Sequence, residues 1–168
     1  CELAHRDTGM PRPVLRTSRF FPEEDDQPAV REAREDANNK ANEFLYRRVD
    51  IEDVVDAHRL AIARARELGF ARYIVSATTP FTRDDLARLR SDAPAVVRRH
   101  VPDYAAEYAR RGWTMFEGID RVYDNAKARA ELGWRPKVDF ARVIARLRES
   151  GDIRSPLARA VGAKGYHR

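Results

Sequence analysis

The stretch Arg16-Thr17-Ser18-Arg19-Phe20-Phe21-Pro22 sets guanidiniums, hydroxyls and aromatic rings side by side. It follows the apolar pair Val14-Leu15 and reads as a strand running out into a loop. Open α/β sheets bind ligands outside the carboxyl ends of their strands, so these side chains stand where a ligand would arrive. Arg19 offers a planar fork suited to phosphate or carboxylate. Its rival partner is the acidic loop Glu23-Glu24-Asp25-Asp26. Phe20 and Phe21 can serve either as core or as a ligand platform. Arg47-Arg48, and Arg121 close to Tyr123, are further anion-binding candidates, each weak alone because exposed arginines are common.

Other chemistries find little support. The sequence has no G-x-G-x-x-G, no G-x-x-x-x-G-K-[ST], no G-x-S-x-G and no H-E-x-x-H. His5, His58, His100 and His167 lack metal-ligand spacing, so no metal site is expected. His58 falls on the apolar side of a helical pattern and reads as a packing or hydrogen-bonding residue rather than a catalytic one. Cys1 has no identifiable neighbour to lower its pKa, and a single cysteine excludes an intramolecular disulfide.

The elements that must position these residues centre on 49–68. There Ile51, Val54, Val55, His58, Ile62 and Ala65 recur at helical spacing and predict one buried face. Asp50 and Asp53 supply the start signal, and Gly69 ends the helix. Residues 71–76 then read as a buried strand, giving the α-to-β half of a parallel α/β unit. Residues 1–8 read as the tail of a helix stopped by Gly9, and 14–21 as a strand. Residues 27–46 read as a polar helical segment or a pair of short helices, which Asn38-Asn39 could break. Further helices are predicted over 84–90, started by Thr82 and Asp85, and over 94–100 and 102–111. Asp124 starts a helix over 125–132, Asp139 one over 140–149, and Ser155-Pro156 one over 157–161. Residues 113–119 are weakly strand-like, and the closing 164–167 reads as a frayed tail.

The chain has 168 residues, 43% hydrophobic and 35% charged, enough for one core. Its net charge of +5 permits an acidic partner, but the arginines interleave with acids on helix faces. Nucleic acid is therefore disfavoured as a partner. No apolar run approaches the ~20 residues that span a bilayer, so no membrane partner is expected.

Four stretches resemble the extended short-chain dehydrogenase/reductases, the NAD-dependent epimerase/dehydratase family. Residues 14–22 are similar to that family's sixth strand and following loop. Arg48-Val49-Asp50-Ile51-Glu52-Asp53-Val54-Val55-Asp56-Ala57-His58 is similar to its V-x-V-x-D-V-A-x-A helix start. Tyr73-Ile74-Val75-Ser76 resembles the strand after it. Most specific is Tyr123-Asp124-Asn125-Ala126-Lys127-Ala128 with Leu132-Gly133-Trp134-Arg135-Pro136, close to D-x-x-K-A-x-x-x-L-G-W-x-P. The resemblance covers nearly the whole chain, from Cys1 to about Glu149.

The resemblance implies the C-terminal part of a Rossmann-type doubly wound sheet plus a mostly helical substrate-binding lid. Residues 1–22 would be the end of the catalytic helix and the sixth strand, 23–48 a lid segment, 49–78 helix and strand of the core sheet, and 79–168 the C-terminal lid. The family's glycine-rich nucleotide loop and Tyr-x-x-x-Lys pair would precede Cys1, with Glu2 matching a glutamate of the catalytic helix. Tyr123 and Lys127 share the Y-x-x-x-K spacing but belong to the D-x-x-K-A element. No catalytic residue is therefore expected here, and the chain alone is expected to be inactive, with poor solubility from an exposed sheet edge.

NAD or NADP would be held mainly by the preceding half, with Thr17 and Ser18 near the nicotinamide. Arg19 stands where the family often has an asparagine facing substrate. Phe20, Phe21 and Pro22 would line the cleft, with Arg47, Arg48, Arg121 and Tyr123 on the substrate side. The implied partner is a small molecule, a nucleotide sugar or related carbonyl compound. A cytoplasmic location and a full-length homodimer would follow the family. The rival reading from charge alone is a non-catalytic basic α/β binding module for nucleic acid or a protein partner, which salt-titrated binding would expose.

Overall fold

Glycines and side-chain caps punctuate the chain much as its sequence suggests. The computed structural model describes residues 1–25 and 27–163. Asp26 of the acidic loop and the tail 164–167 lie outside the described residues.

Helix α1 (Glu2–Thr8) closes on Gly9 at φ 66°, in the left-handed region that glycine tolerates. Strand β1 (Arg12–Thr17) follows, then helices α2 (Pro28–Ala33), α3 (Asp36–Glu43), α4 (Ile51–Ala63) and α5 (Ala65–Leu68), and strand β2 (Phe70–Val75). The strands pair in parallel, Arg12 opposite Phe70 through to Thr17 opposite Val75. Four helices thus fill the crossover that a parallel pair needs. Among the described residues the sheet has these two strands alone. A 3₁₀ turn (Arg83–Asp85) opens the second half. Helices α6 (Leu86–Leu89), α7 (Ala93–His100) and α8 (Tyr104–Arg111) follow it. A π-helical turn (Ala128–Leu132) precedes α9 (Phe140–Ser150) and α10 (Pro156–Val161).

The expected caps form. Asp50 accepts from the Glu52 amide at 2.9 Å, Asp139 from Arg142 at 2.8 Å and Ser155 from Ala158 at 3.2 Å. Thr82 and Asp85 make the reciprocal capping box.

Four expectations are corrected. The strand predicted over 14–21 ends at Thr17, and beyond it Arg19 makes an isolated parallel bridge to Arg48. The helix predicted over 49–68 breaks at Arg64, whose Nη1 donates to the Glu131 carbonyl at 2.5 Å. The segment 27–46 does form a pair of short helices, but the break falls at Arg34-Glu35 and not at Asn38-Asn39, which both lie inside α3. Residues 113–119 form no strand. Thr114 is instead clasped by Asn38 and Asn42, which both donate to its carbonyl, and its own amide donates to Asn38.

The buried face of α4 also differs. Asp53, Val54, Ala57 and Ala61 turn inward, whereas Val55 and His58 are exposed and Ile62 is 78% exposed. Small residues let the helix approach the sheet closely, so alanines rather than the larger aliphatics mark the contact. His58 takes the hydrogen-bonding role and not the packing one: it is exposed, and its Nδ1 lies 2.8 Å from the Val54 carbonyl.

The interior has two parts. Val54, Ala57 and Ala61 pack on Tyr73 and Val75 of β2, with Leu132 and Trp134 completing that cluster. The other cluster joins Phe44 and Leu45 to α7, α8 and the Phe140, Val143, Ile144 and Leu147 face of α9. The segment 23–48 therefore shares a core with the C-terminal helices.

Candidate functional site

The carboxyl end of β1 is fixed by three backbone bonds. Ser18 N–H donates to Val75 at 2.8 Å, Arg19 N–H to the Arg47 carbonyl at 3.2 Å, and Val49 N–H to the Arg19 carbonyl at 3.0 Å. Ala77 N–H donates to the Arg48 carbonyl at 2.9 Å from the other side. The segment 47–49 thus lies between the exits of β1 and β2, and this brings Arg19, Arg47 and Arg48 together.

They converge on Glu43, the last residue of α3, which is 3% exposed. Its Oε1 meets Arg19 at 2.9 Å and Arg47 at 2.8 Å, and its Oε2 meets Arg48 at 3.0 Å. Arg48 also donates to the Phe21 carbonyl at 3.1 Å. Burial lowers the Arg48 guanidinium from its ordinary value, against the pull of Glu43. Arg19 makes a second ion pair, to Asp25 of the acidic loop. Partial burial opposes the charge on Arg19, but its bonds to Asp25 and Glu43 prevail and raise its pKa. Arg19 thus makes the expected pairing with the acidic loop, and it also lines a cleft.

That cleft has a volume of about 450 Å³, and Arg19, Lys40 and Arg48 supply its cations. A second cleft of about 600 Å³ shares Phe21, Asp36, Lys40 and Arg48 with the first. It adds Phe20, Pro22, the start of α4 and the turn between α9 and α10. An ionic chamber therefore adjoins a larger one to which more apolar side chains contribute.

The remaining candidates are distributed unevenly. Ser18 is 7% exposed, and its Oγ is buried without a hydrogen-bond partner. Thr17 ends β1 beside it. Arg121 pairs with Asp120 at 3.5 Å and lines neither cleft. Tyr123 is 36% exposed, outside both clefts, and its amide donates to the Tyr46 carbonyl.

Sequence reasoning missed Lys40, Asp36 and Glu43 of α3. The available signal was Asn38, Asn39, Asn42 and Glu43 at spacings of three and four. A polar helix face is ordinarily solvent-facing, yet this one is buried. Among the described residues no group of His, Cys, Asp or Glu could hold a metal ion, and no helix is long and apolar enough to cross a membrane.

The chain is thus an α/β protein with a parallel strand pair and a cleft lined by charges of both signs where those strands end. No protein-family model matches it, and no curated protein matches it. Among solved structures, the UDP-N-acetylglucosamine 4-epimerase from Bacillus cereus is similar over 88% of this chain and 46% of its own, with TM-score 0.46 and 12% sequence identity. The chain spans about half the length of that enzyme.

Proposed function

We propose that these residues form the substrate-side portion of an NAD(P)-dependent epimerase, dehydratase or reductase acting on a nucleotide sugar or related carbonyl compound. One observation carries the reading. Two of the stretches that carry the resemblance, 48–58 and the most specific one, 123–136, interlock: the Trp134 indole donates to the Asp53 carbonyl at 3.0 Å across 81 residues of sequence. Stretches that would be unrelated under a chance resemblance build one unit, and its first stretch lines the larger cleft through Arg48, Val49, Asp50 and Ile51.

In this reading Arg19, Arg47 and Arg48 orient the anionic part of the substrate, and Phe20, Phe21 and Pro22 wall the larger cleft against water. Hydride exchange is the chemistry that the nicotinamide supplies when bound. The orphaned Ser18 hydroxyl, with Thr17 beside it, suits a polar group at that end of the strand. The chain's own part is to bind and orient, so turnover belongs to the whole enzyme.

The test is expression of the complete reading frame containing these residues, with nucleotide sugars and NAD⁺ or NADP⁺ supplied. Nicotinamide-dependent conversion, followed by NMR of the sugar, is expected. No conversion of any nucleotide sugar or carbonyl substrate overturns the reading. Unaided turnover by the 168-residue chain overturns its assignment as a substrate-side portion.

A further inference from the structure

Asp25 sits in the ionic chamber as a ligand would. Its Oδ2 pairs with Arg19 and its Oδ1 accepts the Gln27 amide at 3.0 Å. The Asp25 side chain is 10% exposed while that of Arg19 is 41% exposed, so the loop carboxylate is the more deeply inserted partner. Arg31 holds the Asp25 carbonyl at 2.5 Å and keeps the loop turned inward.

The loop also sets the sign of the chamber. Glu23, Glu24, Asp25, Asp36 and Glu43 line it against Arg19, Lys40 and Arg48. With the loop in place, carboxylates outnumber cations. Without Glu23, Glu24 and Asp25, three cations face two carboxylates. One of those two, Glu43, already holds three guanidiniums.

We infer that Asp25 is a built-in competitor for an oxyanion site on Arg19, and that a diphosphate-bearing ligand displaces the loop 23–25 to bind there. The inference rests on reading this cleft as the substrate side. A tethered carboxylate acts at an effective concentration of roughly millimolar or more. A free monocarboxylate repeats the same contact and gains nothing over it. A diphosphate carries more charge and more acceptor oxygens, and it can engage Arg19 and Lys40 together. The loop thereby screens out singly charged ligands and gives Arg19 a second carboxylate beside Glu43 when the cleft holds no substrate.

The experiment is calorimetry of the 168-residue chain with inorganic pyrophosphate at low salt. The variants are D25N, the triple change E23Q/E24Q/D25N, and the triple change combined with R19Q or R19K. The triple variant should bind pyrophosphate about tenfold more tightly than the unaltered chain, the size of one charged hydrogen-bond competitor removed. D25N should supply most of that gain. R19Q should abolish it, and R19K should restore part of it and so separate the charge from a folding defect. In the unaltered chain, saturating pyrophosphate should speed hydrogen exchange at the Gln27 amide, which loses Asp25 as its acceptor. Equal affinity in the unaltered and triple chains overturns the inference. So does a gain that survives R19Q, or an unmoved Gln27 amide at saturation. Failure of the whole enzyme to convert nucleotide sugars would instead overturn the functional reading and leave the pyrophosphate ratio intact.

Discussion

Trp134 donates its indole N–H to the Asp53 carbonyl at 3.0 Å, and both residues are fully buried. The Asp53 carboxylate does not close the helix start that its position suggests. It accepts the amides of Lys137 at 2.8 Å and Val138 at 3.0 Å, just beyond Trp134 and Pro136. One residue of α4 therefore anchors the L-G-W-x-P exit by its main chain and by its side chain.

This anchor should dominate the stability of the sheet cluster. Replacing Trp134 by alanine should cost roughly 3–5 kcal/mol, the usual range for a buried Trp. Replacing it by phenylalanine keeps much of the apolar volume and removes one hydrogen bond from the Asp53 carbonyl, which still accepts within α4, and should cost roughly 0.5–1.5 kcal/mol. Urea denaturation checks both values. Equal losses for the two variants would mean that the hydrogen bond alone matters and the ring's packing does not.

Asp53 also predicts a pH dependence. Burial pushes its carboxyl up to about 6, against the two amides that favour the charged form. The folded state therefore holds this proton more tightly than the unfolded chain, where aspartate titrates near 3.9. The stabilising contribution is complete below about pH 4 and is lost as pH rises through about 6. The stability of the unaltered chain minus that of D53N should fall by about 2 kcal/mol between pH 4 and pH 7. Asp25 and Asp85, both held below the ordinary carboxylate range, act in the opposite sense and cancel in that difference. A flat difference across the range would contradict the assignment.

Glu43 should behave as a charge hub. E43Q leaves Arg48, 7% exposed, without its carboxylate and should destabilise by roughly 3–5 kcal/mol. The double change E43Q/R48M should lose less than E43Q alone, because the unpaired buried charge goes as well. Denaturation of the two variants decides the matter. A double variant less stable than E43Q would show that Arg48 contributes through contacts other than Glu43.

The punctuation of this fold was legible in the sequence, and its burial was less so. Asp50, Thr82, Asp139, Ser155, Gly9 and Gly133 act locally, so their types announced the helix ends they make. The inward face of α4 depends on what lies opposite. Ala57 and Ala61 give a weak apolar signal, yet they face the sheet, while Ile62 points to solvent. Buried Asn38 and Asn42 depend on Thr114, more than 70 residues away, and no local pattern reports such a partner. At the site, Arg19, Arg47 and Arg48 were legible as separate cations. The carboxylate that gathers them was not, because Glu43 ends a helix whose polarity suggested solvent.

Gly118 shows the same limit and supplies a last test. Nothing in its surroundings in the sequence marks it, and its backbone is not left-handed. Its role is a close approach: a Cβ built there would lie 2.4 Å from the Arg90 carbonyl oxygen. That carbonyl is backbone and cannot swing aside. The flanking bonds, Ala93 N–H to Glu117 at 3.0 Å and Ile119 N–H to Leu89 at 2.7 Å, hold the two segments together. G118A should therefore destabilise by roughly 1–3 kcal/mol through overpacking. At Gly112 nothing lies within 4 Å of an added Cβ, but φ is +68°. G112A should cost about 1 kcal/mol from backbone conformation alone. Thermal denaturation of the two variants separates these causes, since only G118A should also expose the Ile119 amide to hydrogen exchange. Unchanged protection at Ile119 in G118A would show that the segments separate without losing that bond, and the close approach would then not be what holds them in register.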